Sequence, residues 1–370
     1  MEDKPLKINL VLPTFTEYAG GGVKVMYEYA KRLSARGHDV VVYHSTKTTY
    51  TTYETKSESK IYFKFIKRLI TGKYKLNERP PWYHLPDSVK CRRVPYISDR
   101  FIRDADITMS TWWGTAYDVA KLSSSKGKLF NLVQAYETIM TTYAPELVHE
   151  SYKLPLHYIV ISGYLYDVVS KYNHDKIYYV ANGIDLSVYK VIEPVADRDP
   201  YSLIMRYTTQ KEKACYIALE AYAKLKEKYP QLKVLLFGSE ERTSNIPEWI
   251  EYIYGQSDIT PLYNRSSIFV SSSIDEGMPL PPMEAMACGC ACVCTDIPPH
   301  MSYMVDNENC LLVPTLSPDA IVEKVSFLIE NQAERLRLAK GGIDSMKNYD
   351  WEKSVDEILN IFDEAPGRKL

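Results

Sequence analysis

Short, largely apolar runs alternate along this chain with segments whose apolar residues recur at helical spacing. Residues 8–12 (INLVL) form the first such run, preceded by Lys7 and ended by Pro13, as expected of a strand buried on both faces. Gly20, Gly21 and Gly22 follow. Val23, Met26, Ala30 and Leu33 then recur with a helical period, Gly37 ends that helix, and residues 40–43 make the next strand. The result is a strand–glycine loop–helix–strand unit, in which glycine lets the backbone at the helix start approach a diphosphate. Further strands are expected at 106–110, 130–133, 159–162, 177–180, 203–206, 233–237 and 268–270. Helices are expected at 214–228, 318–331 and 333–347, with a last helix opened by Asp350. Such alternation predicts an α/β protein with parallel sheets, and no internal repeat of 20 to 50 residues competes with it.

At 370 residues the chain is long enough for two α/β domains, and 45% hydrophobic with 25% charged residues is ordinary for a globular protein. Residues 191–200, with two prolines and four charges, read as the linker between them. The net charge of −2 hides an asymmetry: residues 1–190 carry 27 Lys and Arg against 19 Asp and Glu, which leaves 18 against 28 for 191–370. A basic first half suits an anionic partner such as a lipid phosphate. No apolar run approaches the roughly 20 residues of a membrane-spanning helix, and MEDKPLKINLVLPTF has no signal-peptide pattern. A cytoplasmic protein is therefore expected, with peripheral contact at the inner face of the membrane. Cys288, Cys290, Cys292 and Cys294 alternate, but no histidine completes a tetrahedral set. Their reading is packing, with no metal site.

The chemistry concentrates in residues 268–296, IFVSSSIDEGMPLPPMEAMACGCACVCTD. A buried strand leads to a loop with Glu276. Pro281 and Pro282 then open a short helix whose first turn is expected to hold Glu284, and a second strand follows. Two carboxylates with seven residues between them, one on a loop and one at a helix start, can face one crevice at the carboxyl end of a parallel sheet.

This segment resembles the Glu-x7-Glu motif, commonly EGFGLPPLEAMACG, of retaining GT-B glycosyltransferases of the family-four-like group. The resemblance implies two Rossmann-like domains facing a cleft: an acceptor-side domain over 1–190, a nucleotide-sugar domain over 191–349, and residues 350–370 returning to the first. Carried over by position, Glu284 holds ribose hydroxyls and Glu276 lies by the donor sugar and its phosphates. Met278, Pro279 and Leu280 flank the sugar, although Met278-Pro279 replaces an aromatic residue and a glycine, and proline offers no N–H. Arg206 and Lys211 match an arginine and lysine that grip the donor diphosphate, with Met205 and Glu212 where the family has glycines. Gly21 and Gly22 belong to a loop placed against donor phosphates or acceptor. Tyr254 borders the region that receives the nucleobase.

On the acceptor side the candidates are Trp112 and Trp113, which follow a strand at its ligand end, and Gln134 and Glu137. The QAYE quartet holding these last two is similar to a QDYE run of rhamnosyltransferase-like members. Residues 46–90 are a basic, tyrosine-rich insertion in which Ile61, Phe65, Arg68 and Leu69 share one face of an amphipathic helix. The insertion is the candidate for acceptor or membrane contact. Asp104-Ala105-Asp106 is a D-x-D triplet that precedes a strand, the inactive end of a sheet. The resemblance thus implies metal-independent, retaining transfer of a sugar, with no cofactor beyond the nucleotide sugar, to a glycan, lipid-linked or small-molecule acceptor in polysaccharide or glycoconjugate biosynthesis. No basic aromatic groove or dinucleotide fingerprint points to nucleic acid or NAD. An inactive scaffold on the same fold and a nucleotide-sugar epimerase remain as alternatives, the former because of Met205, Glu212 and Pro279.

Overall fold

The structure, a computed structural model, describes residues 4–18, 20–48, 57–138, 145–256 and 258–367. Its chain divides into two compact units, Met1–Ala181 with Glu352–Leu370, and Asn182–Trp351. Residues 182–185 and the expected linker both fall in the second unit. Asn182 Nδ2 donates to the Met278 carbonyl there at 3.3 Å, and Ile184 forms a bridge with Asp350.

The first unit is built on seven parallel strands: β1 (Lys7–Leu12), β2 (Asp39–Ser45), β3 (Lys90–Val94), β4 (Ile107–Thr111), β5 (Lys128–Val133), β6 (His157–Val160) and β7 (Ile177–Tyr179). Their order is β3-β2-β1-β4-β5-β6-β7. Helices cover both faces, so β1 is buried from Ile8 to Leu12 and reads as a continuous apolar run broken by Asn9. Asn9 is tolerated because its Nδ2 donates to the Arg103 carbonyl at 3.0 Å. The first connections move outward from β1 through β2 to β3, and β4 restarts on the other side. The crevice at the carboxyl ends of β1 and β4 is the switch point where such sheets bind ligands. Asp104 and Asp106 lie at the opposite end: Asp104 pairs with Lys126 at 2.7 Å and Asp106 Oδ2 accepts from the Lys7 N–H at 2.7 Å.

The helix Trp351–Glu364 closes this unit. The Phe362 ring lies 4.9 Å from that of Phe130 on β5, and Lys128 Nζ donates to the Phe362 carbonyl at 2.8 Å. Arg36, at the end of the helix Gly21–Ala35, pairs with Glu352 and Asp356.

The second unit has six parallel strands: β8 (Ser202–Arg206), β9 (Lys233–Gly238), β10 (Glu251–Tyr254), β11 (Ile268–Ser271), β12 (Ala291–Thr295) and β13 (Leu311–Val313). Their order is β10-β9-β8-β11-β12-β13, with a switch point between β8 and β11. Leu203, Met205, Val234, Leu236, Ile268 and Val270 fill its core against the helix Cys215–Lys228. Met205, a departure from the resembled motif, is thus a buried core residue at 2% exposure. All seven cysteines are free and buried, four of them on or beside β12. The edge strands β3, β10 and β13 were not anticipated, and residues 49–56 of the insertion lie outside the described residues.

Candidate active site

Two loops leave the switch point of the second sheet and are strapped together by their backbones. One follows β8 and runs through Lys211–Lys213 to Ala214, whose φ of 42° places a non-glycine residue in the left-handed region at the start of the helix Cys215–Lys228. The other follows β11. Ile274 N donates to the Glu212 carbonyl at 2.8 Å, and Ser272 Oγ to the Ala214 carbonyl at 3.0 Å. Glu212 therefore serves this strap through its main chain, a role any side chain permits.

The strap places Lys213, not Lys211, beside Glu276. Lys213 Nζ is 2.8 Å from Glu276 Oε2 and also donates to the Asp275 carbonyl at 3.3 Å, while Ser273 Oγ donates to Glu276 Oε1 at 2.9 Å. Both side chains of the ion pair are 14% exposed, whereas Lys211 is exposed. The resemblance counts five residues forward from Arg206 to reach Lys211. Lys213 stands two residues before Cys215, where the helix begins, and the left-handed Ala214 lies between them.

Arg206 is half-buried at the carboxyl end of β8. Beside it lies Glu240, another group that sequence reasoning missed. Burial alone would push this carboxyl up. Hydrogen bonds from Thr208 Oγ1 (2.7 Å) and the Thr209 N–H (3.0 Å), together with the Arg206 charge, hold it below its ordinary value instead. Asp275 is 6% exposed, and burial pushes its carboxyl up to about 6, with Lys213 opposing and Glu276 adding to the shift. His300 is fully buried. Its Nδ1 meets the Thr295 carbonyl at 2.7 Å, and burial pulls the ring below its ordinary value, so it is held neutral within the fields of Glu276 and Lys213.

Glu284 is buried at 3% exposure, and its Oε2 accepts from Tyr263 OH at 3.1 Å. It stands fifth in the helix Leu280–Ala287, a correction to the expected first-turn position. The extended Pro279 caps the helix, which begins at Leu280, one residue before the prolines. Met278 and Leu280 are buried, and Met278 is engaged by Asn182, whose N–H meets its sulfur at 3.3 Å. Pro279 accepts through its carbonyl from Tyr303 OH at 3.4 Å. Tyr254 ends the edge strand β10 with 54% exposure.

In the first unit, Gln134 joins three elements at the switch point. Its Nε2 donates to the Gly22 carbonyl at 3.0 Å and to Thr111 Oγ1, at the end of β4, at 2.8 Å. A Cβ on Gly22 would lie 3.3 Å from that nitrogen, while Gly21 faces open space. Trp112 has φ of 75°, and its ring covers Gly114, where a Cβ would come within 2.2 Å. Trp113 is buried at 1% exposure and Trp112 is half-buried, their rings 5.2 Å apart. Glu137 Oε2 accepts from the Trp113 N–H at 3.0 Å; burial pushes this carboxyl up to about 8, against that hydrogen bond.

The whole-chain architecture has counterparts among solved structures. Anabaena HepE in complex with UDP and glucose superposes with a TM-score of 0.72 at 13% identity, over 97% of this chain and 100% of that one. Sucrose-phosphate synthase from Thermosynechococcus elongatus superposes with a TM-score of 0.71 at 13% identity, over 97% and 98%. The chain has the GT-B fold. In this GT-B protein, residues 193–345 match the family described as Glycosyl transferases group 1. Curated relatives match shorter stretches. The N,N'-diacetylbacillosaminyl-diphospho-undecaprenol alpha-1,3-N-acetylgalactosaminyltransferase of Campylobacter jejuni is 32% identical over 114 residues, 31% of this chain and 30% of that one. The GtfA subunit of the UDP-N-acetylglucosamine–peptide N-acetylglucosaminyltransferase of Streptococcus pneumoniae is 26% identical over 185 residues, 44% and 37%. The chain thus spans about a third of the length of these two relatives. The matched family and both relatives are described as glycosyltransferases.

Proposed function

We propose that this GT-B protein is a retaining glycosyltransferase that moves a sugar from a nucleotide-diphosphate sugar to a glycan or lipid-linked acceptor without a metal ion. The observation that carries the reading is the Lys213–Glu276 ion pair, held in the loops at the β8/β11 switch point near the carboxyl end of Arg206's strand. The anomeric C–O bond to the diphosphate breaks through an oxocarbenium-like state, and negative charge develops on the departing phosphate. Fixed cations aimed at that charge stabilise it. Lys213 and Arg206 take this role in place of the exposed Lys211, Arg206 through its planar fork. Glu276 accepts hydroxyl hydrogen bonds from the donor sugar, and Glu284 accepts them from the ribose. The acceptor hydroxyl attacks on the face the phosphate leaves, its proton passing to that phosphate, so configuration is retained. In the first unit, Gly21, Gly22, Gln134, Trp112 and Glu137 form the acceptor side. The Campylobacter relative, whose name gives a diphospho-undecaprenol acceptor, supports the lipid-linked choice.

The test is the melting temperature with UDP, GDP, dTDP and ADP, with and without EDTA, followed by the anomeric configuration of the transferred sugar by NMR. One nucleotide is expected to raise the melting temperature in the presence of EDTA, and the product to keep the donor's anomeric configuration. Stabilisation abolished by EDTA refutes metal independence, and inversion refutes the mechanism.

A further inference from the structure

We propose that residues 57–76 form a docking surface for an anionic phospholipid bilayer. The sequence pattern singles out Ile61, Phe65, Arg68 and Leu69 as one face of the helix Glu58–Ile70, and the structure turns that face inward. Phe65 is 4% exposed with its ring 6.0 Å from Tyr74, Arg68 lies 5.0 Å over the Tyr74 ring, and Tyr62 stacks on Phe101 at 5.9 Å. The packing requirement of the helix is met by that side. The opposite side presents Lys60, Phe63, Lys64, Lys67 and Ile70 to solvent, a continuous stripe at helical spacing.

An ordinary solvated face mixes both signs of charge and carries few large apolar groups. Here Phe63 is 71% and Ile70 81% exposed. Beyond the turn at Gly72, Leu76 is 54% exposed and follows Lys73 and Lys75. Residues 57–76 hold six Lys and Arg against a single acid, Glu58. Among the described residues no ion pair joins Lys60, Lys64, Lys67, Lys73 or Lys75 to a carboxylate, so their charge is available to an external anion.

The mixture of groups selects the partner. Aromatic and aliphatic side chains interleaved with lysine suit the boundary between headgroups and acyl chains: Phe63, Ile70 and Leu76 enter the apolar layer, and lysine stems lie along it with their ammonium groups among the phosphates. A protein partner fits poorly, because the centres of protein interfaces are depleted of lysine. A single-stranded nucleic acid would call for a groove lined with stacking rings, whereas this surface is a convex helix side. Anionic lipid is therefore the occupant that satisfies both the charge and the exposed apolar groups.

The experiment is cosedimentation of the full chain with vesicles of phosphatidylcholine alone, or of phosphatidylcholine with phosphatidylglycerol, at about 0.15 M and about 1 M salt. Wild type is expected to pellet with phosphatidylglycerol vesicles at the lower salt and to be released at the higher. Each lysine near an anionic surface contributes about five-fold in partitioning. The triple variant Lys60→Ala, Lys64→Ala, Lys67→Ala should therefore bind about 100-fold more weakly, with an unchanged melting temperature because all three side chains are exposed. Phe63→Ser with Ile70→Ser should weaken binding while leaving its salt dependence in place. Wild type remaining in the supernatant with phosphatidylglycerol vesicles overturns the proposal, as does equal pelleting with neutral vesicles or undiminished pelleting of the triple variant.

Discussion

Replacing Lys213 by methionine keeps most of the apolar stem and removes the charge that pairs with Glu276. At 2.8 Å and an effective dielectric constant of about 20, the direct attraction is about 6 kcal/mol. Desolvation of two side chains that are each 14% exposed offsets much of it, leaving a net hydrogen-bond contribution to a charged group of about 1–3 kcal/mol. Loss of the 3.3 Å bond to the Asp275 carbonyl falls within the same range, and Ser273 still donates to Glu276 Oε1. A melting temperature only a few degrees below wild type is expected, since the chain is long and the lost term is local. If Lys213 also stabilises the departing phosphate, turnover should fall by about 100- to 1,000-fold with a smaller change in donor affinity. Lys211→Met should leave turnover near wild type. The assay is steady-state release of nucleoside diphosphate at saturating acceptor. A double-mutant cycle with Glu276→Gln, read by denaturant unfolding, should give a coupling of about 1–3 kcal/mol. Wild-type turnover in Lys213→Met with a large loss in Lys211→Met would return the phosphate role to Lys211 and refute the argument from the ion pair.

Asp275→Asn should raise stability at pH 7. The folded protein holds the carboxyl proton up to about pH 6 while the unfolded chain releases it near pH 4, so stability falls as pH rises between those values. The penalty above pH 6 is about 3 kcal/mol; melting temperatures across pH 4 to 7 should show the decline in wild type and lose it in the variant. Glu284→Ala should remove the nucleotide-dependent thermal shift and cost about 1–3 kcal/mol, because Tyr263 OH is then buried without its acceptor. Tyr263→Phe should keep the nucleotide shift, and its loss there would count against a direct role for Glu284. Gly114→Ala places a Cβ 2.2 Å from the Trp112 ring, so the ring must move, with a cost of about 1–3 kcal/mol and a changed tryptophan fluorescence.

The alternation of apolar runs and helical segments was enough to read an α/β chain with parallel sheets, because strands covered on both faces must be apolar throughout. Residues 8–12 became β1, 203–206 fell within β8 and 268–270 within β11. The edge strands β3, β10 and β13 were hidden: Lys90–Val94 alternates exposed and buried only over its first three residues, and Glu251–Tyr254 has two half-buried residues between exposed ends, patterns too short to separate from a loop. The Glu-x7-Glu resemblance singled out Glu276 and Glu284 as candidates, while Lys213 and Tyr263, which meet them in the structure, lay beyond its reach. Ser273 meets Glu276 within one loop, whereas Lys213 and Tyr263 approach those carboxylates only when separate loops and helices are brought together.

Local sequence thus determined which segments are strands and helices and where the carboxylates fall, since periodicity and proline chemistry act over a few residues. Which lysine meets Glu276 was decided by the strap between the 212–214 and 272–274 backbones, and the ionisation of Asp275 and Glu137 by burial that many distant residues create together. The same division holds at the helix Glu58–Ile70. Its sequence supplies two faces with apolar residues, and only packing against Tyr74 and Phe101 decided that Phe63 and Ile70 remain outside with the lysines. Contact energies between residues far apart in the chain have no local signature, so they enter only with the tertiary structure.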